Sequence, residues 1–343
     1  MHDSRPDTAE RYNHELRQKI MGYIVSQAIH AICELGIPDL LARRPHRIDE
    51  LAAGTGADPD ALHRFLRVLA AEGILTEEQP GTFALTDMGS LLRTDVPGSL
   101  AHLSSLMAGE AYRAWGAATH SLRTGSPGFE HVYGSPYFEW LAHNPEAART
   151  FNEGQAGLVA LRLLPLLEWD WSEVGTVVDV GGGNGALLSD LLRGNDRLKG
   201  VILDLPHVLE ETRRVLADAG LDGRADCVGG SFFDRVPSGG DVYVLAQILH
   251  DWDDEQAVRI LASCRRAMGE HGRLLILEQV VPDDGSRHPA ALLDLHMLVL
   301  LGGRERTESQ WRALLDRGGF DTSAITRGAR AALIEAAPRK APA

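Results

Sequence analysis

Cysteine is scarce in this chain of 343 residues. The three cysteines, Cys33, Cys227 and Cys264, are odd in number and far apart in the sequence. They offer neither a disulfide framework nor a CxxC metal site, which is typical of a protein in a reducing compartment. The start MHDSRPDTAERYNHELRQ has no apolar region, so we expect no signal peptide and a cytoplasmic protein.

Positive charge and long apolar runs are also lacking. Lysine and arginine total 34 against 48 acidic residues, which gives a formal net charge of −14. This excess of acid disfavours nucleic acid and anionic membranes as partners. No run reaches the roughly 18 apolar residues that a membrane span needs. Internal repeats and low-complexity linkers are absent as well, so the length predicts at least two globular domains.

The first hundred residues have the helix, turn, helix, strand order of a winged helix. A periodic helix over 9–35 is followed by IDELAAGTGADPDALHRFLRVLAAEGIL, which predicts two short helices, and by the strand-like GTFALTDMGSLL. Asp58 or Thr55 can cap the second helix, with Pro59 at its first position. That helix carries three acids against two arginines. It lacks the basic face of a DNA reader and favours a role in dimerisation.

The sequence pattern changes near Gly175, where apolar strand-like runs begin to alternate with predicted helices. The runs are TVVDV, VILDLP, ADCVGG, DVYVLAQIL and GRLLILEQVV, and the tail reads as two closing strands. This alternation predicts an α/β domain built on a doubly wound parallel sheet. We therefore divide the chain into a winged-helix dimerisation domain (1–100), a helical, aromatic-bearing region that lines a substrate pocket (101–172) and a catalytic domain (173–343).

A glycine cluster in DVGGGNGALLSDLLR follows a predicted strand and opens a predicted helix. Gly181, Gly183 and Ala186 satisfy the dinucleotide pattern GxGxxA, and Asp204, roughly 20 residues further on, suits a ribose in either kind of cofactor. Asp179 distinguishes between the two kinds of cofactor. A carboxylate directly before the glycines would repel a pyrophosphate, whereas it suits the cationic amino group of a methionine. The pattern therefore favours S-adenosylmethionine (SAM) over NAD.

Six motifs occur in a fixed order: DVGGGNG, LDLPHV, VGGSFFDRVP, LHDWDDEQAVRIL, GRLLILEQVVPDD and GGRERTESQWRALLDRGGF. With these motifs and the winged helix, nearly the whole chain resembles the SAM-dependent small-molecule O-methyltransferases of plants and bacterial antibiotic pathways. The resemblance implies a class I SAM methyltransferase fold, Rossmann-like, with an N-terminal mainly helical winged-helix dimerisation domain. It also implies a homodimer that methylates a small-molecule acceptor in secondary metabolism.

The resemblance implies the cofactor contacts too. Nine residues would form the SAM site: Asp179, Gly181, Gly182, Gly183, Asp204, Leu205, Ser231, Phe232 and Gln247. The glycines would approach the methionine part, Asp204 would hold the ribose hydroxyls with Leu205 beside it, and Ser231 and Phe232 would sit by the adenine above Gln247. Many relatives carry an acid at the position of Ser231. A serine there accepts a hydrogen bond more weakly.

The stretch LHDWDDE supplies the candidate base. His250 closes a predicted strand at its carboxyl end, where ligands of doubly wound sheets bind. Methyl transfer needs an aligned and deprotonated acceptor, and a histidine can take that proton. By the resemblance His250 is the base, and Glu278 and Glu305 are the carboxylates that support it. Glu305 could instead pair with Arg304 or Arg306 at the surface.

A metal-dependent alternative also fits the sequence. His250, Asp251 and His296 make up a two-histidine, one-carboxylate set. A branch of the family uses such a metal, zinc or iron, to methylate the carbon next to the keto group of an α-keto acid. Asp251 could otherwise cap the following helix, and His296 could be an ordinary pocket histidine. O-methylation of an aromatic hydroxyl is our leading prediction, and metal-assisted C-methylation is the alternative.

Overall fold

The computed structural model describes residues 8–96, 98–159, 162–286, 288–328 and 330–340, without the side chains of 155–159. The chain folds as two compact units that divide between Glu110 and Ala111. None of the helices among these described residues is long and apolar enough to cross a membrane.

The first unit is mainly helical. Its elements are α1 (Thr8–Glu34), α2 (Ile37–Leu41), β1 (His46–Arg47), α3 (Ile48–Thr55), α4 (Pro59–Ala71), β2 (Leu75–Gln79), β3 (Thr82–Leu85), a 3₁₀ turn (Gly89–Leu92) and α5 (Ala101–Ala108). The strands form an antiparallel sheet in the order β1-β3-β2. The predicted helix, turn, helix, strand order is confirmed, but the wing has more strand than expected. Strand β2 was missed because four of its five residues face solvent, so it shows no apolar pattern.

The cap of α4 is Asp58. Its carboxylate accepts a hydrogen bond from the Ala61 N–H at 2.8 Å, and Pro59 follows at the first helical position. Thr55 instead donates to the Leu51 carbonyl. Because the helix begins at Pro59, Leu62, Leu66 and Leu69 fall on one buried face.

The second unit opens with short helices. They are α6 (Glu110–Trp115), α7 (Ala118–Thr124), α8 (Gly128–Tyr133), α9 (Tyr137–Ala142), α10 (Pro145–Val159) and α11 (Leu164–Leu167). Phe129 is fully buried and contacts the rings of Tyr133, Tyr137 and Trp140. Most of the aromatic residues of this region therefore serve as core.

A seven-stranded sheet follows, in the order β11-β12-β8-β7-β4-β5-β6. The remaining elements are β4 (Thr176–Val180), α12 (Ala186–Gly194), β5 (Lys199–Asp204), α13 (Leu209–Asp218), β6 (Ala225–Gly229), β7 (Val242–Ala246), α14 (Asp254–Ala267), β8 (Arg273–Glu278), β9 (Val280–Val281), α15 (Ala290–Leu300), β10 (Arg306–Thr307), α16 (Glu308–Arg317), β11 (Phe320–Arg327) and β12 (Ala332–Pro338). Apolar clusters pack against both faces of the sheet.

The sheet is mixed: its doubly wound parallel part and the two closing strands of the tail are confirmed. Strand β12 runs antiparallel to both β11 and β8, while the pairs among β4 to β8 are parallel. The physical reason is the connection. A short turn between β11 and β12 can join only antiparallel strands, whereas a parallel pair needs a long crossover.

The strand order reverses between β4 and β7. β4 pairs with β5 on one side and with β7 on the other, so the chain winds outward in both directions from this point. Ligands of such sheets bind at the carboxyl ends of the strands beside this reversal. Asp179, Asp204, Ala246 and Glu278 all lie at these carboxyl ends.

Close packing at the amino end of β5 yields a stability test. An alanine Cβ at Gly200 in β5 would lie 2.5 Å from both Leu188 methyl carbons, and Leu188 is fully buried. We expect Gly200→Ala to lower the free energy of unfolding by about 1–3 kcal/mol through overpacking. Gly194→Ala is the matched control, because nothing lies within 4 Å of its Cβ position. A similar loss in both variants in urea unfolding would contradict this packing.

Candidate functional site

A cavity of about 1290 Å³ opens at the carboxyl ends of β4, β5 and β7. It is lined by every residue predicted for the cofactor: Asp179, Gly181, Gly182, Gly183, Asp204, Leu205, Ser231, Phe232 and Gln247. Residues from three of the six motifs, together with Gln247, therefore meet in one concave space, as a ligand pocket requires.

The glycine loop has to be glycine for reasons that the geometry makes plain. Gly181 and Gly183 have φ values of 77° and 57°, the left-handed region that other residues avoid. At Gly182 an alanine Cβ would lie 2.7 Å from the Asp179 carboxylate. The loop can pass this close to Asp179 only because the side chain is missing.

Two acids flank the glycine loop and differ in their hydrogen bonding. Asp204 is satisfied, since its oxygens accept the N–H groups of Gly183 at 2.8 Å and Leu205 at 2.7 Å. Asp179 is buried, and its Oδ2 finds no partner among the described residues. Burial, and then the charge of Asp204, raise the pKa of Asp179 to about 7. A buried orphan oxygen beside the cavity is suited to a cationic ligand group.

The other predicted cofactor residues lie further along the wall. Ser231 Oγ accepts the Phe233 N–H at 3.2 Å, and the Phe232 ring contacts Trp252 edge to face. Gln247 is not on the strand as expected, because β7 ends at Ala246. Gln247 has φ 57°, the one left-handed non-glycine residue among those described. Its side chain donates to the Leu277 carbonyl at 3.0 Å and to Glu278 at 3.2 Å.

His250 lies in a 3₁₀ turn, Leu249–Asp251, rather than at a strand end. The left-handed Gln247 ends the strand early and sends the chain into this turn. The His250 ring is buried, and its Nδ1 lies 2.7 Å from Glu305 Oε1. Glu305 is buried too, so the surface pairing with Arg304 or Arg306 is not what the structure has.

Glu278 acts on the backbone of the turn. Its Oε1 accepts the N–H groups of Ile248, Leu249 and His250 at 3.0, 2.9 and 3.3 Å. Its Oε2 lies 3.8 Å from His250 Nδ1, too far for a hydrogen bond. Of the two supporting carboxylates, Glu305 therefore contacts the ring and Glu278 holds the peptide.

The acids around His250 change its proton affinity. Burial alone would lower the pKa of His250, but the charges of Glu278, Asp251 and Glu305 outweigh it and raise that pKa to about 10. Asp251 Oδ1 lies 3.4 Å from His250 Nε2. Burial raises the pKa of Asp251 to about 7, although the nearby His250 opposes the shift. The cap of α14 is Asp253, which accepts the Gln256 N–H at 2.8 Å, so Asp251 is left to face the histidine.

His296 on α15 does not fit a metal ligand. Its Nδ1 lies 3.1 Å from Trp115 Nε1, and an indole nitrogen can only donate. The lone pair is therefore on Nδ1 and the proton on Nε2. A metal-bound imidazole needs the opposite arrangement, with one nitrogen on the metal and the other donating. Burial, and then the charge of His250, lower the pKa of His296 to about 4, so the ring is neutral.

The three residues of the metal alternative are not assembled. Within the described ranges, one group of three or more possible ligands comes together, and it consists of His250, Glu278 and Glu305. It shares only His250 with the predicted set. Since Glu278 Oε1 is already held by three N–H groups, this group is better described as an ion-pair cluster.

Several residues of the site were missed by sequence reasoning. Arg149, Asn152 and Arg214 line the cavity, and Arg162 donates to the Gln247 side-chain oxygen. Arg149 and Asn152 are three residues apart on α10, so they share one helix face. That spacing is visible in the sequence, but nothing in it indicates which ligand the face would meet.

Similar proteins agree with this geometry. An O-methyltransferase domain model matches residues 115–321, and an O-methyltransferase dimerisation domain model matches residues 18–95. A phenazine O-methyltransferase of Lysobacter antibioticus is 43% identical over 325 residues, 94% of this chain and 95% of its own. The O-demethylpuromycin O-methyltransferase of Streptomyces alboniger is 41% identical, over 93% of this chain and 87% of its own.

A solved structure adds a ligand-bound relative. The neocarzinostatin-pathway O-methyltransferase NcsB1, in complex with SAM and 2-hydroxy-5-methyl naphthoic acid, superposes with a TM-score of 0.82 at 34% identity. The match covers 91% of this chain and 95% of that one.

The mixed seven-stranded sheet, with a glycine loop and two acids at its switch point, defines a SAM-dependent methyltransferase. The chain belongs to the O-methyltransferase family whose members carry an N-terminal dimerisation domain.

The raised pKa of Asp179 predicts how stability depends on pH. The folded state holds this proton up to about pH 7, whereas an unfolded aspartate loses it near about pH 3.9. The folded state therefore binds more protons between these values, and its stability falls as the pH rises through them. Asp179→Asn removes this loss. In urea unfolding without SAM, we expect the variant to gain stability relative to the native protein at pH 8 and to lose that advantage near pH 4. A difference that does not change with pH would refute the assignment.

Proposed function

We propose that this enzyme transfers a methyl group from SAM to an aromatic hydroxyl of a small molecule in secondary metabolism. The observation that carries the proposal is the buried His250–Glu305 pair, 2.7 Å from nitrogen to oxygen, in a turn whose residues Ile248 and Asp251 line the glycine-loop cavity. The named activities of the relatives support it, since they include O-methylation of a phenazine and of demethylpuromycin.

SAM supplies the electrophilic methyl group, and the residues of the cavity bind and orient it. Asp204 keeps free lone pairs for the ribose hydroxyls although it already accepts two backbone N–H groups. Asp179 faces the methionine end, where a cationic amino group would satisfy its orphan oxygen. Arg149 and Arg214 are the candidate cations for the carboxylate. Ser231 and Phe232 hold the adenine end.

His250 takes the proton of the acceptor hydroxyl at Nε2, while Nδ1–H donates to Glu305. A base takes up a proton more readily the higher its pKa, and catalysis is best when that pKa lies near the operating pH. The acids around His250 raise its pKa to about 10, so the neutral ring is a stronger base than an ordinary imidazole. Only the neutral form of His250, with Nε2 unprotonated, can take this proton, and the raised pKa makes that form more abundant as the pH rises.

The arrangement disfavours C-methylation of an α-keto acid. That reaction would need His296 as a metal ligand beside His250 and Asp251. The indole N–H of Trp115 keeps the His296 Nδ1 lone pair occupied, which leaves Nε2 protonated and unable to bind an ion.

The architecture supports three further proposals. The dimerisation-domain match over residues 18–95 supports a homodimer. We retain the three-part division into dimerisation (1–100), pocket-lining (101–172) and SAM-binding (173–343) regions. Scarce cysteine supports a cytoplasmic location.

The affinity for SAM should depend more strongly on Asp204 than on Ser231. We expect Asp204→Ala to abolish SAM binding, because it removes the ribose acceptor and also frees the Gly183 and Leu205 N–H groups. Ser231→Ala should cost under about 1.5 kcal/mol, the worth of one hydrogen bond. Isothermal titration with SAM checks the ranking, and equal losses in the two variants would overturn it.

The base and metal mechanisms separate in a screen of phenols and α-keto acids with SAM. We expect His250→Ala to lower turnover by about 10²–10⁴-fold, the usual contribution of a positioned base. His296→Ala should retain most activity, and dialysis against a chelator should leave the native enzyme unchanged. If chelation and His296→Ala both abolish turnover, the metal alternative is correct and the base mechanism is wrong.

A further inference from the structure

The turn that carries His250 is held on two sides. Glu278 binds its N–H groups, as described above. Its carbonyl groups point the other way, toward the loop Gly303–Arg306 from the GGRERT motif. The proton transfer proposed for His250 does not involve this second contact directly.

Arg306 fills the space behind the turn. Its side chain is 1% exposed, and it donates to the Leu249 carbonyl at 2.8 Å and the Trp252 carbonyl at 2.9 Å. It also binds Asp254 Oδ1 through two nitrogens, at 3.0 and 2.9 Å. One guanidinium therefore joins both ends of the turn to the first residue of α14. Only the five-donor geometry of arginine can make all of these bonds at once.

Gly303 lets the loop approach this closely. An alanine Cβ there would lie 2.1 Å from the His250 carbonyl oxygen and 2.6 Å from the Asp251 carbonyl carbon. Gly303 is not in the left-handed region, so backbone strain does not require glycine. The contact with His250 does. The neighbouring Arg304 N–H donates to the same His250 oxygen at 2.8 Å.

The same loop fixes the ring partner of His250. Glu305 lies between these contacts, and its own N–H donates to Asp294 at 2.8 Å. Arg306 pairs with Val280 in the short β9–β10 ladder, two residues after Glu278. The loop therefore sets the His250 backbone, its ring partner and the strand that carries Glu278 as one unit.

We propose that Arg306 is a positioning residue for His250. We also propose that the missing side chain of Gly303 allows the loop Gly303–Arg306 to pack against the turn that carries His250. The kinetic part of this inference rests on the proposed function. A displacement of about 1 Å at a reacting group can lower the rate by about 100-fold. We call the Arg306 hydrogen bonds to Leu249, Trp252 and Asp254 the guanidinium clamp. Its loss should therefore lower kcat while leaving the SAM cavity intact.

Two variants test the clamp from opposite directions. Arg306→Lys keeps the charge but loses the fork, and Gly303→Ala keeps Arg306 but pushes on the His250 carbonyl. The matched controls are Arg312→Lys, a half-exposed arginine that pairs with Glu308, and Gly269→Ala, whose Cβ meets nothing within 4 Å. SAM affinity by titration calorimetry shows whether each variant retains its cofactor fold.

The first readout needs no acceptor. The downfield imidazole N–H resonance of the His250–Glu305 hydrogen bond is recorded on histidine-labelled protein and assigned by its loss in His250→Asn. We expect Arg306→Lys and Gly303→Ala to shift or abolish it, with SAM affinity within about threefold of native and both controls unchanged. With a phenol that the native enzyme methylates, kcat should fall by about 100-fold in both variants and KM should change little.

An unchanged resonance in both variants, or a loss of SAM affinity that parallels the loss of kcat, would overturn the proposal. If Arg306→Lys does not fold, Gly303→Ala decides alone. Should the native enzyme methylate no phenol, the proposed function fails while the resonance still decides the role of Arg306.

Discussion

The turn that carries His250 depends on one buried carboxylate, that of Glu278, which accepts three consecutive backbone N–H groups. Residues 248–250 leave the sheet at its carboxyl edge, where their N–H groups can no longer join a strand ladder. A buried N–H without an acceptor costs about 1–3 kcal/mol, so this irregular backbone could not stay buried by itself. Glu278 supplies the acceptor from the end of the next strand. Its position follows from the register of β7 on β8, which pairs Ala246 with Leu277. The sheet thus determines where the turn begins, and Glu278 determines its shape.

Burying that carboxylate creates the electrostatic setting of the site. Glu278, Glu305 and Asp251 lie around a single histidine, and such groups are stable in a protein interior only when paired. His250 pairs with Glu305, and Arg306 and Arg162 add positive charge nearby. Removing His250 would leave its partner Glu305 as a buried charge without compensation. The same arrangement that satisfies the buried acids raises the proton affinity of His250.

The sequence was most informative where local chemistry determines structure. The strand and helix alternation after Gly175, the Asp58 helix cap and the glycine loop follow from short-range patterns, and each is found in the structure. Strand β2 was missed because its outer face is polar. The sequence predicted the two closing strands but not the antiparallel direction of β12, because strand direction depends on connections rather than composition. The left-handed Gln247 could not be foreseen either, since a non-glycine residue adopts that conformation only where tertiary contacts impose it. Those contacts come from Arg162, Leu277 and Glu278, which lie far away in the sequence.

A single hydrogen bond separates the two chemistries that the sequence leaves open. His250, Asp251 and His296 are the residue types of a metal site, and nothing in their spacing excludes one. The deciding atom belongs to Trp115, about 180 residues before His296 in the chain. Because an indole can only donate, it fixes which nitrogen of His296 carries the proton, and that nitrogen is the one a metal would need. Composition shows which ligands are present, but a tautomer depends on a neighbour that only the fold supplies. A neutral His296 that is protonated on Nε2 supports our proposal that His250 and Glu305 act as the proton-transfer pair for an oxygen nucleophile.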